Sequence, residues 1–316
     1  MKKTLGTFAA ILLIISGLFG FTAPTASAEG ETKSSAPYIG ISPYKANLEL
    51  EPGNTYTGKF RVSNVGEGPF EYEVSVAPYQ VTDDNYTADF ITMTNYTRIV
   101  DWVSFNEGDL RGRLEPHTAS DYITYTITVP EDIPAGSQFA VIKATAVNNP
   151  DDVTGFSIQN KVSAGMILYA NMKGVETRAT AKIIENKIPG FLSAGPLNAT
   201  SLIENTGNIY AEAKYTLRVT SIFSNDPIYT NEEDEEANIS TILPETKRFR
   251  TQTWQEVPMI GIFKVKQTVQ IFDEYSEVEQ IVIVCPFWLI VVVIIAIVAA
   301  IVWLKSRSKA RTKAII

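Results

Sequence analysis

The stretch FRVSNVGEGPFEYEVSV, residues 60–76, indicates how this chain folds. On both sides of Asn64-Val-Gly66 the residues alternate between apolar and polar, which is the pattern of two β-strands joined by a tight connection. We therefore predict a β-hairpin in which the Asn-x-Gly element supplies positive φ values and sets the strand register. A hairpin with this role needs no ligand.

The same pattern recurs later in the chain, where Asn205-Thr-Gly207 precedes another alternating strand. A second pair of motifs follows in the same order, LEPHT at 114–118 and LPET at 243–246. Two motifs repeated in one order predict two copies of one β architecture. After the second motif we expect Gly136 to correspond to Gly261, Phe139 to Phe263 and Val141 to Val265.

Both copies show the period-2 pattern of half-buried strands. Residues 122–129, YITYTITV, place isoleucine, tyrosine and valine on one face and threonine on the other. No helical period of similar strength appears over residues 29–280. We predict a mainly β fold of two immunoglobulin-like β-sandwich domains, 38–172 and 175–284, followed by one transmembrane α-helix.

The N-terminus carries a predicted export signal at residues 1–28. Two lysines precede an apolar run, and Ala26-Ser-Ala28 supplies the small residues that a signal peptidase requires. We expect the mature chain to begin at Glu29, with 29–37 as a linker. The body of the protein is therefore predicted to lie outside the cytoplasm.

The C-terminal end carries a predicted membrane anchor at 285–304. Residues 287–304 contain no charged side chain, and the preceding apolar residues extend the run to the roughly 20 needed to cross a bilayer. Lysines and arginines follow in the tail 305–316, and this bias places the tail in the cytoplasm. The expected location is the plasma membrane, single-pass, with the N-terminal domain extracellular.

The predicted extracellular part is strongly acidic. Of the 27 lysines and arginines, two lie in the signal and five in the tail, so that 20 face all 35 acidic residues. The net charge outside is therefore near −15, which opposes binding to a phosphate backbone. We predict no nucleic-acid partner, and partners that are basic or do not depend on charge fit better.

Cysteine usage indicates the kind of cell. Cys285 is the only cysteine and lies at the predicted membrane boundary, so no intramolecular disulfide can form. An exported protein without disulfides is more typical of a bacterial surface than of an animal immunoglobulin domain. We expect a single-membrane bacterium, with Cys285 as a small apolar residue at the helix start.

The sequence offers little to build an enzyme. His117 is the only histidine, which excludes a two-histidine metal site and leaves one turn residue for any Ser-His-Asp arrangement. No catalytic residue, metal ligand or cofactor is predicted. We expect a protein that is not an enzyme.

A candidate ligand surface follows from the aromatic residues of the first copy. Sugar rings stack on aromatic faces and take hydrogen bonds from nearby amides and carboxylates. The alternative is structural, because a tryptophan in a strand is usually core and loop tyrosines often cover sheet edges. The residues of this candidate surface are Tyr79, Asp83, Asp84, Asn85, Tyr86, Tyr96 and Trp102.

A candidate partner-binding tip lies in the second copy. Its run of like charges is expected to be a solvated loop between strands, which offers a docking point for a basic partner. The run lacks the alternating ligand spacing of calcium loops. An open sheet edge that accepts a strand from another chain is a further alternative that needs no special residue. The tip comprises Glu232, Glu233, Asp234, Glu235 and Glu236.

Several segments together resemble the extracellular modules of the WxL-interacting protein family of Gram-positive bacteria. The segments that carry the resemblance are ISP (41–43), LELEPG (48–53), FRVSN (60–64), Tyr86, the predicted strand of Trp102, LEPHT (114–118), VPEDIPAG (129–136) and QFAVI (138–142). The resemblance implies a signal peptide, a first Ig-like domain that binds peptidoglycan, a second that binds host or partner proteins, one transmembrane helix and a basic tail.

The sequence thus predicts a membrane-anchored bacterial cell-surface binding or scaffold protein. Its expected partners are cell-wall peptidoglycan or a surface protein, with the plasma membrane crossed once. The alternative is a non-catalytic accessory or stalk subunit of a membrane complex, in which the helix and tail hold the partner.

Overall fold

The computed structural model describes residues 38–147 and 162–313, with 305–313 by backbone alone. The described part consists of β-strands, two short 3-10 helices and one C-terminal α-helix, which confirms the mainly β prediction. The predicted signal peptide, the linker 29–37 and the side chains of the tail lie outside the described residues.

Residues 39–172, here called the N-terminal half, form two main sheets. One has the order β1-β3-β9-β7 and the other β2-β11-β10-β4-β8, with β5 and β6 as a separate small ladder. All pairs are antiparallel except β2 with β11. The strands are β1 Ile39–Ser42, β2 Lys45–Leu50, β3 Thr55–Asn64, β4 Phe70–Pro78, β5 Gln80–Val81, β6 Ala88–Asp89, β7 Val103–Phe105, β8 Arg111–Leu114, β9 Ile123–Thr128, β10 Gln138–Val147 and β11 Ser163–Met172.

Residues 181–284, here called the C-terminal half, again form two sheets. Their orders are β12-β14-β18 and β13-β20-β19-β15-β16, and β17 also pairs with β15. The strands are β12 Ala181–Lys187, β13 Phe191–Leu192, β14 Leu197–Asn205, β15 Ala211–Ser221, β16 Pro227–Thr230, β17 Ile239–Ile242, β18 Lys247–Trp254, β19 Gly261–Ile271 and β20 Glu274–Val284.

The two halves repeat one strand order. The sheet β12-β14-β18 corresponds to β1-β3-β9, and β13-β20-β19-β15-β17 corresponds to β2-β11-β10-β4-β8, including the parallel first pair. In space the N-terminal strands occupy the A-B-E-D and G-F-C-C′ positions of immunoglobulin-type sandwiches, with β2 added beside β11. Along the chain, however, β7 in the D position precedes β8 in the C′ position. Residues 37–316 nevertheless group as one compact unit, so two separate domains stay a prediction.

Alternating side chains produce the core of the N-terminal half. In β9, Ile123, Tyr125 and Ile127 are buried while the intervening threonines are partly exposed or exposed. They meet buried side chains of the opposite sheet such as Ile142 and Leu168. The predicted period-2 reading of this strand is therefore confirmed, and the inward face is set by apolar burial.

The predicted hairpin at residues 60–76 is wrong. β3 and β4 lie in opposite sheets, so the chain crosses the sandwich at Asn64-Val-Gly66 and does not fold back beside itself. β14 and β15 are connected in the same way across Asn205-Thr-Gly207. Alternation cannot distinguish these cases, because an arch and a hairpin both join two half-buried strands.

A buried asparagine holds each crossing. Asn64 Nδ2 donates to the carbonyl oxygens of Gly68 (2.9 Å) and Leu114 (3.3 Å), and its Oδ1 accepts from the N–H of Gly66 (2.9 Å). Asn64 is 1% exposed. The side chain therefore ties the crossing to the end of β8, a strand distant in sequence.

Asn205 repeats this arrangement in the C-terminal half. Its Nδ2 donates to the carbonyl oxygens of Ile209 (2.8 Å) and Ile242 (3.0 Å), and its Oδ1 accepts from the N–H of Gly207 (2.9 Å). The Asn-x-Gly motif is thus a side-chain cap of a sheet crossing, present twice.

The glycines of the motif serve close approach rather than positive φ. Neither Gly66 nor Gly207 has a positive φ, contrary to the prediction. A Cβ on Gly207 would overlap the carbonyl oxygen of Arg178, and one on Gly66 would lie 3.2 Å from the N of Tyr38. Positive φ values occur instead in the second motif, at His117 and Glu245, both with φ 57°.

The predicted correspondence of β10 with β19 is off by one residue. Pairing with β4 places Ile142 opposite Val76, and pairing with β15 places Gln267 opposite Leu217. Ile142 therefore corresponds to Gln267, and Phe139 does not correspond to Phe263. A one-residue shift moves a side chain to the other face of a sheet, which decides where Phe139 lies.

The C-terminal helix, α1, spans Phe287–Lys313. Its segment Phe287–Leu304 is long and apolar enough to cross a membrane and is not buried against the rest of the protein. The helix begins two residues later than predicted, because Cys285 still belongs to the sheet end and donates its N–H to Leu192 (2.9 Å).

Candidate functional site

The two halves meet through an aromatic cluster. Phe139 and Val141 point outward from β10, where the segment 79–110 between β4 and β8 packs against them. The ring centroids of Tyr169 and Tyr210 are 5.5 Å apart, so a side chain of the C-terminal half completes the cluster. The one-residue shift in register therefore places Phe139 and Val141 on a contact surface, whereas Phe263 and Val265 lie in the core of the C-terminal half.

Hydrogen bonds reinforce this junction. The N–H of Ser137 donates to the carbonyl oxygen of Asn208 (2.9 Å), and the N–H of Tyr210 donates to Ser137 Oγ (3.0 Å). Asn208 Nδ2 in turn donates to the carbonyl oxygen of Glu176 in the connection between the halves (3.0 Å). Polar groups on both sides of the junction thus have specific hydrogen-bond partners, which favours one fixed arrangement of the two halves.

Tyr86 is the principal side chain that crosses the junction. It has a φ of 66°, and its hydroxyl lies 3.0 Å from Thr246 Oγ1 and accepts from the N–H of Leu243 (2.7 Å). The Arg248 guanidinium lies 4.0 Å from its ring centroid, a cation–π contact. Burial raises the pKa of the Tyr86 hydroxyl, so this residue is neutral and structural.

Beside this junction lies a cleft of about 580 Å³. We call it the junction cleft. It is bounded by β2 and β11 of the N-terminal half and by β17, β18 and Glu212 of β15 in the C-terminal half. Its lining residues are Tyr44, Lys45, Asn47, Tyr79, Tyr86, Ile167, Tyr169, Glu212, Glu236, Ile239, Ser240, Thr241, Arg248 and Arg250.

Three cations of the junction cleft have no carboxylate partner within the described residues. Arg248 donates to the carbonyl oxygen of Thr241 (2.6 Å) and Arg250 to that of Ala237 (2.8 Å). Lys45 Nζ lies 5.9 Å from the ring centroid of Tyr44. By contrast, arginines elsewhere on these sheets, such as Arg111 and Arg218, form ion pairs. The cleft lining also contains two carboxylates, Glu212 and Glu236, so its net charge is +1 in an acidic protein, with the three cations free of direct ion pairs in the part of the chain that the structure describes.

Polar atoms without partners lie at the same place. Ser240 Oγ, Arg250 Nε and Tyr215 Oη are buried and make no hydrogen bond within residues 38–147 and 162–313. Ser240 and Arg250 line the cleft, and Arg250 lies 5.9 Å from the ring centroid of Tyr215. Buried polar groups are normally satisfied, so the floor of the cleft holds polar atoms that the described residues leave unpaired.

The donors of the cleft suit an anionic group. Arginine, lysine and hydroxyl side chains donate hydrogen bonds to a carboxylate, and pairing in a half-buried place strengthens such bonds. The exposed ring of Tyr44 supplies apolar surface beside them. Within the described residues no group of three or more metal-ligating side chains comes together.

The residues of the predicted ligand surface do not form one open face. Tyr79 is 8% exposed and Trp102 is 9% exposed, so neither ring face is available to a sugar in the way we expected. Trp102 ends a 3-10 helix, Arg98–Trp102, and packs in the N-terminal core; it does not lie in a strand. Its apolar bulk is better satisfied by burial than by the surface.

The polar members of that surface serve the local fold. Asp83 accepts from the N–H and hydroxyl of Thr87, and these bonds lower the pKa of its carboxyl. The carbonyl oxygen of Asp84 accepts from the N–H of Phe249 on β18 (2.7 Å). Asn85 is exposed beside them. The loop thus docks on the C-terminal half.

Tyr96 also lies at the junction. Its carbonyl oxygen accepts from the N–H of Phe139 (2.7 Å). Burial, with the neighbouring Glu245 carboxylate, raises the pKa of its hydroxyl to about 12. Tyr79, Tyr86 and Tyr96 are therefore brought together, as contacts between the halves.

The acidic tip is partly engaged in the protein itself. Glu232 lies 3.5 Å from Arg218 and Glu235 lies 3.5 Å from Lys214, whereas Glu233 is exposed. Asp234 Oδ1 accepts from the N–H of Ala237 (3.1 Å). Glu236 reaches the rim of the junction cleft. The structure thus brings one end of the tip close to Tyr79 and Tyr86.

The sequence reasoning missed the cations of the cleft. Lys45 lies in β2, and Arg248 and Arg250 alternate along β18, KRFRTQTW. Basic residues that alternate along a strand predict that this side of the strand faces solvent, but they do not predict a binding site. Which side chains lie beside these cations depends on how β2 and β18 are placed in their sheets, which the sequence pattern does not reveal.

No protein-family model and no curated protein matches this chain. Among solved structures, a chain of the chaperone–tip adhesin complex of CFA/I fimbriae is 15% identical, with 79% of this chain and 99% of that chain covered and a TM-score of 0.36. A chain of the Salmonella enterica SafA pilin–SafB chaperone complex is 15% identical, with 78% of this chain and 96% of that chain covered and a TM-score of 0.33. The E. coli chaperone DraB is 13% identical, with 77% of this chain and 96% of that chain covered and a TM-score of 0.31.

Proposed function

We propose that this chain is a non-catalytic, membrane-anchored binding protein whose junction cleft takes an acidic segment of another surface protein. The observation that carries the proposal is the set of cations Lys45, Arg248 and Arg250, which line one cleft and lack carboxylate partners in the described part of the chain. A carboxylate bound there would complete the pairing.

The buried polar atoms support the same proposal. Ser240 Oγ and Arg250 Nε lose hydrogen bonds to water on folding and gain none within the described residues. Leaving such groups unpaired costs about 1–3 kcal/mol each. Because solvent does not reach these atoms, a ligand recovers this free energy only if the strands that line the cleft move to admit it.

Anchoring completes the proposed role. The segment Phe287–Leu304 supplies an apolar helix of sufficient length, and the lysine and arginine residues after it favour a cytoplasmic tail. In this arrangement the cleft lies on the extracellular side, where a surface protein can reach it. Membership of the WxL-interacting family and binding of peptidoglycan by the N-terminal half stay predictions from the sequence.

The test compares capture by the full chain, in lipid nanodiscs, with capture by the variant Arg250→Gln. Probes are a membrane-and-surface extract and insoluble peptidoglycan from a Gram-positive bacterium. We expect one or a few proteins to be retained by the unmodified chain. Loss of a charge-assisted hydrogen bond of about 1.5–3 kcal/mol corresponds to binding about tenfold weaker or more.

The matched control is Arg111→Gln. Arg111 is an exposed arginine that pairs with Glu73 (2.9 Å) away from the cleft. Capture that is equal for the unmodified chain and both variants would contradict the cleft as the binding site. Loss of peptidoglycan retention in Arg250→Gln alone would assign the cleft to wall polymer instead.

The accessory-subunit alternative has its own test. Replacement of Phe287–Leu304 by an unrelated apolar span keeps the anchor but changes every side chain that a membrane partner would contact. We expect capture at the cleft to survive this replacement. Its loss, with the protein still folded and inserted, would favour a role in which the helix holds the partner.

A further inference from the structure

The end of the C-terminal half nearest α1 carries an unusual number of exposed apolar side chains. Three loops meet there, because register places Ser221 beside Phe263, Leu197 beside Trp254, and Gly261 beside Val284. Large apolar residues on these loops and strand ends are exposed to solvent. They are Phe191 (42%), Ile222 (41%), Phe223 (92%), Met259 (69%), Ile260 (54%), Ile262 (45%) and Ile283 (46%).

We propose that this apolar end is a lipid-contacting surface that dips into the adjacent leaflet of the membrane crossed by α1. The proposal rests on the membrane anchoring described above. It adds a second point of membrane contact, on the loops 222–226 and 255–260, which would fix the orientation of the sheets above the bilayer.

Continuity with the helix is the first argument for lipid as the occupant. The N–H of Ile283 donates to the carbonyl oxygen of Gly190 (3.0 Å), and that of Cys285 donates to the carbonyl oxygen of Leu192 (2.9 Å). Backbone hydrogen bonds of the sheet therefore continue to within two residues of the helix start. The rings of Phe191 and Phe287 are 5.7 Å apart. With no slack between sheet and helix, the loops lie at the level where the helix leaves the bilayer.

Comparison with the N-terminal half is the second argument. Counted from the Val-Pro dipeptide after β9 and after β18, Met259 and Ile260 take the places of Glu131 and Asp132. Counted from the strand registers, which differ by one residue, Met259 takes the place of Asp132. Glu131 and Asp132 are exposed and charged, as expected for a loop in water. The copy next to the membrane has apolar residues at the same exposed place, and this difference needs a nonaqueous contact to stabilise it.

Charge indicates the kind of lipid contact. The loops 188–196, 222–226 and 255–260 contain no lysine or arginine, and their acidic residues are Asp226 and Glu256. Attraction to anionic head groups therefore cannot drive the contact. Apolar insertion of about 5–10 Å into the interface, as for amphipathic surface helices, is the mode that fits. It should persist in neutral lipid and in high salt.

Lipid contact is tested with a fluorescent probe on single cysteines of the full chain. In a Cys285→Ala background the probe is placed by Phe223→Cys, Ile260→Cys, Ile91→Cys or Val298→Cys, with one chain per phosphatidylcholine nanodisc brominated in the acyl chains. Ile91 is 87% exposed in the N-terminal half and is the matched control. Val298 lies within α1 and reports the span itself.

We expect strong quenching at 298, substantial quenching at 223 and 260, and none at 91. Quenching at 298 without quenching at 223 and 260 would overturn the lipid surface while leaving the membrane anchor in place. No quenching at 298 would overturn both. A blue shift at 260 without quenching would show that protein covers this end, and would also overturn the proposal.

Discussion

The two halves share a strand order but differ in how they treat the outer face of the same sheet. In the N-terminal half, Phe139 and Val141 face outward from β10 and are covered by the segment 79–110. By register the corresponding side chains of β19 are Lys264 and Lys266, which pair with Glu279 (3.0 Å) and Glu277 (2.8 Å) on β20. One face is a protein contact and the other is a solvent face.

The halves differ also at their edges. In the N-terminal half β2, six residues long, covers the edge of β11, and β7 extends the other sheet. In the C-terminal half β13 covers only two residues of β20, and in the described chain no strand follows β18. The charged side chains on β18 and β20 protect these edges from nonspecific pairing. The C-terminal half is therefore the more open copy, and the junction cleft borders the β18 edge, where the Asp84 loop takes one N–H but no described strand pairs.

The two halves are compared most strongly by removing the buried asparagine of each crossing, which should cause the largest loss of stability. We expect Asn205→Ala to lower the free energy of unfolding by about 3 kcal/mol or more, because two carbonyls and one N–H lose their partner at about 1–3 kcal/mol each. Asn64→Ala should cost a similar amount. Urea denaturation measures both, with the exposed Asn54→Ala as a control that should change little.

Hydrogen exchange sharpens the same comparison. If the halves unfold separately, Asn64→Ala should accelerate exchange in residues 39–147 and 162–172 and leave the C-terminal half unchanged. If the junction couples them, both halves should respond. Equal stability of Asn205→Ala and the unmodified protein would contradict the capping role.

A smaller effect separates the two glycines of the crossings. Gly207→Ala should destabilise the protein by about 1–3 kcal/mol, the usual cost of overpacking, because the new Cβ would overlap the carbonyl oxygen of Arg178. At Gly66 the nearest atom lies at 3.2 Å, and Gly66→Ala should cost less. Thermal unfolding of both variants checks the order. The reverse order would show that the Arg178 connection shifts freely.

A gain of stability is expected at Gln267. It is fully buried in the position that Ile142 holds in the N-terminal half, and its amide atoms make no hydrogen bond within the described residues. Gln267→Leu should raise the free energy of unfolding by about 1–2 kcal/mol, since an unpaired amide no longer has to be desolvated. Gln255→Leu, on the exposed loop, is the control. A loss of stability would indicate an ordered water at Gln267.

The smallest expected effect on stability concerns the segment 79–110, which covers the outer face of β10 in the N-terminal half. Hydrogen bonds, the first from Thr92 and others from Ile91 and Gln80, lower the pKa of Asp89 to about 2. A lowered folded pKa gives stability that is present above the unfolded value of about 3.9 and lost as the pH falls through about 2. NMR titration measures the pKa directly. Asp89→Asn should flatten the stability curve between these values, and an unchanged curve would contradict the assignment.

Much of the fold was predictable from local pattern. The strands around residues 70–76 and 122–129 have the faces that alternation predicts, and the repeated motifs correctly indicated a repeated architecture. The pairing of those strands was not predictable, because alternation reports which face is buried and not which neighbour forms the ladder. The hairpin at Asn64 was wrong for this reason.

The site was predictable only in part. Tyr79, Tyr86 and Glu236 were each singled out, and the structure brings them to one cleft, but Trp102 lies in the core. Lys45, Arg248 and Arg250 were missed because Lys45 lies some 200 residues from the two arginines and an acidic composition gives no hint that cations gather at one place. Their proximity depends on β2 and β18 lying at adjoining edges.

The sequence by itself determined the mainly β class, the repeated motif order, the inward faces of the strands and an apolar helix long enough for a membrane. These features follow from the burial of apolar side chains, and the spacing of apolar residues along the chain indicates which side chains are buried. Only the tertiary structure decided that Asn64 and Asn205 cap sheet crossings, that Phe139 faces outward, and that three unpaired cations meet in one cleft. Those features depend on register and on contacts between distant strands, where a shift of one residue exchanges core for surface.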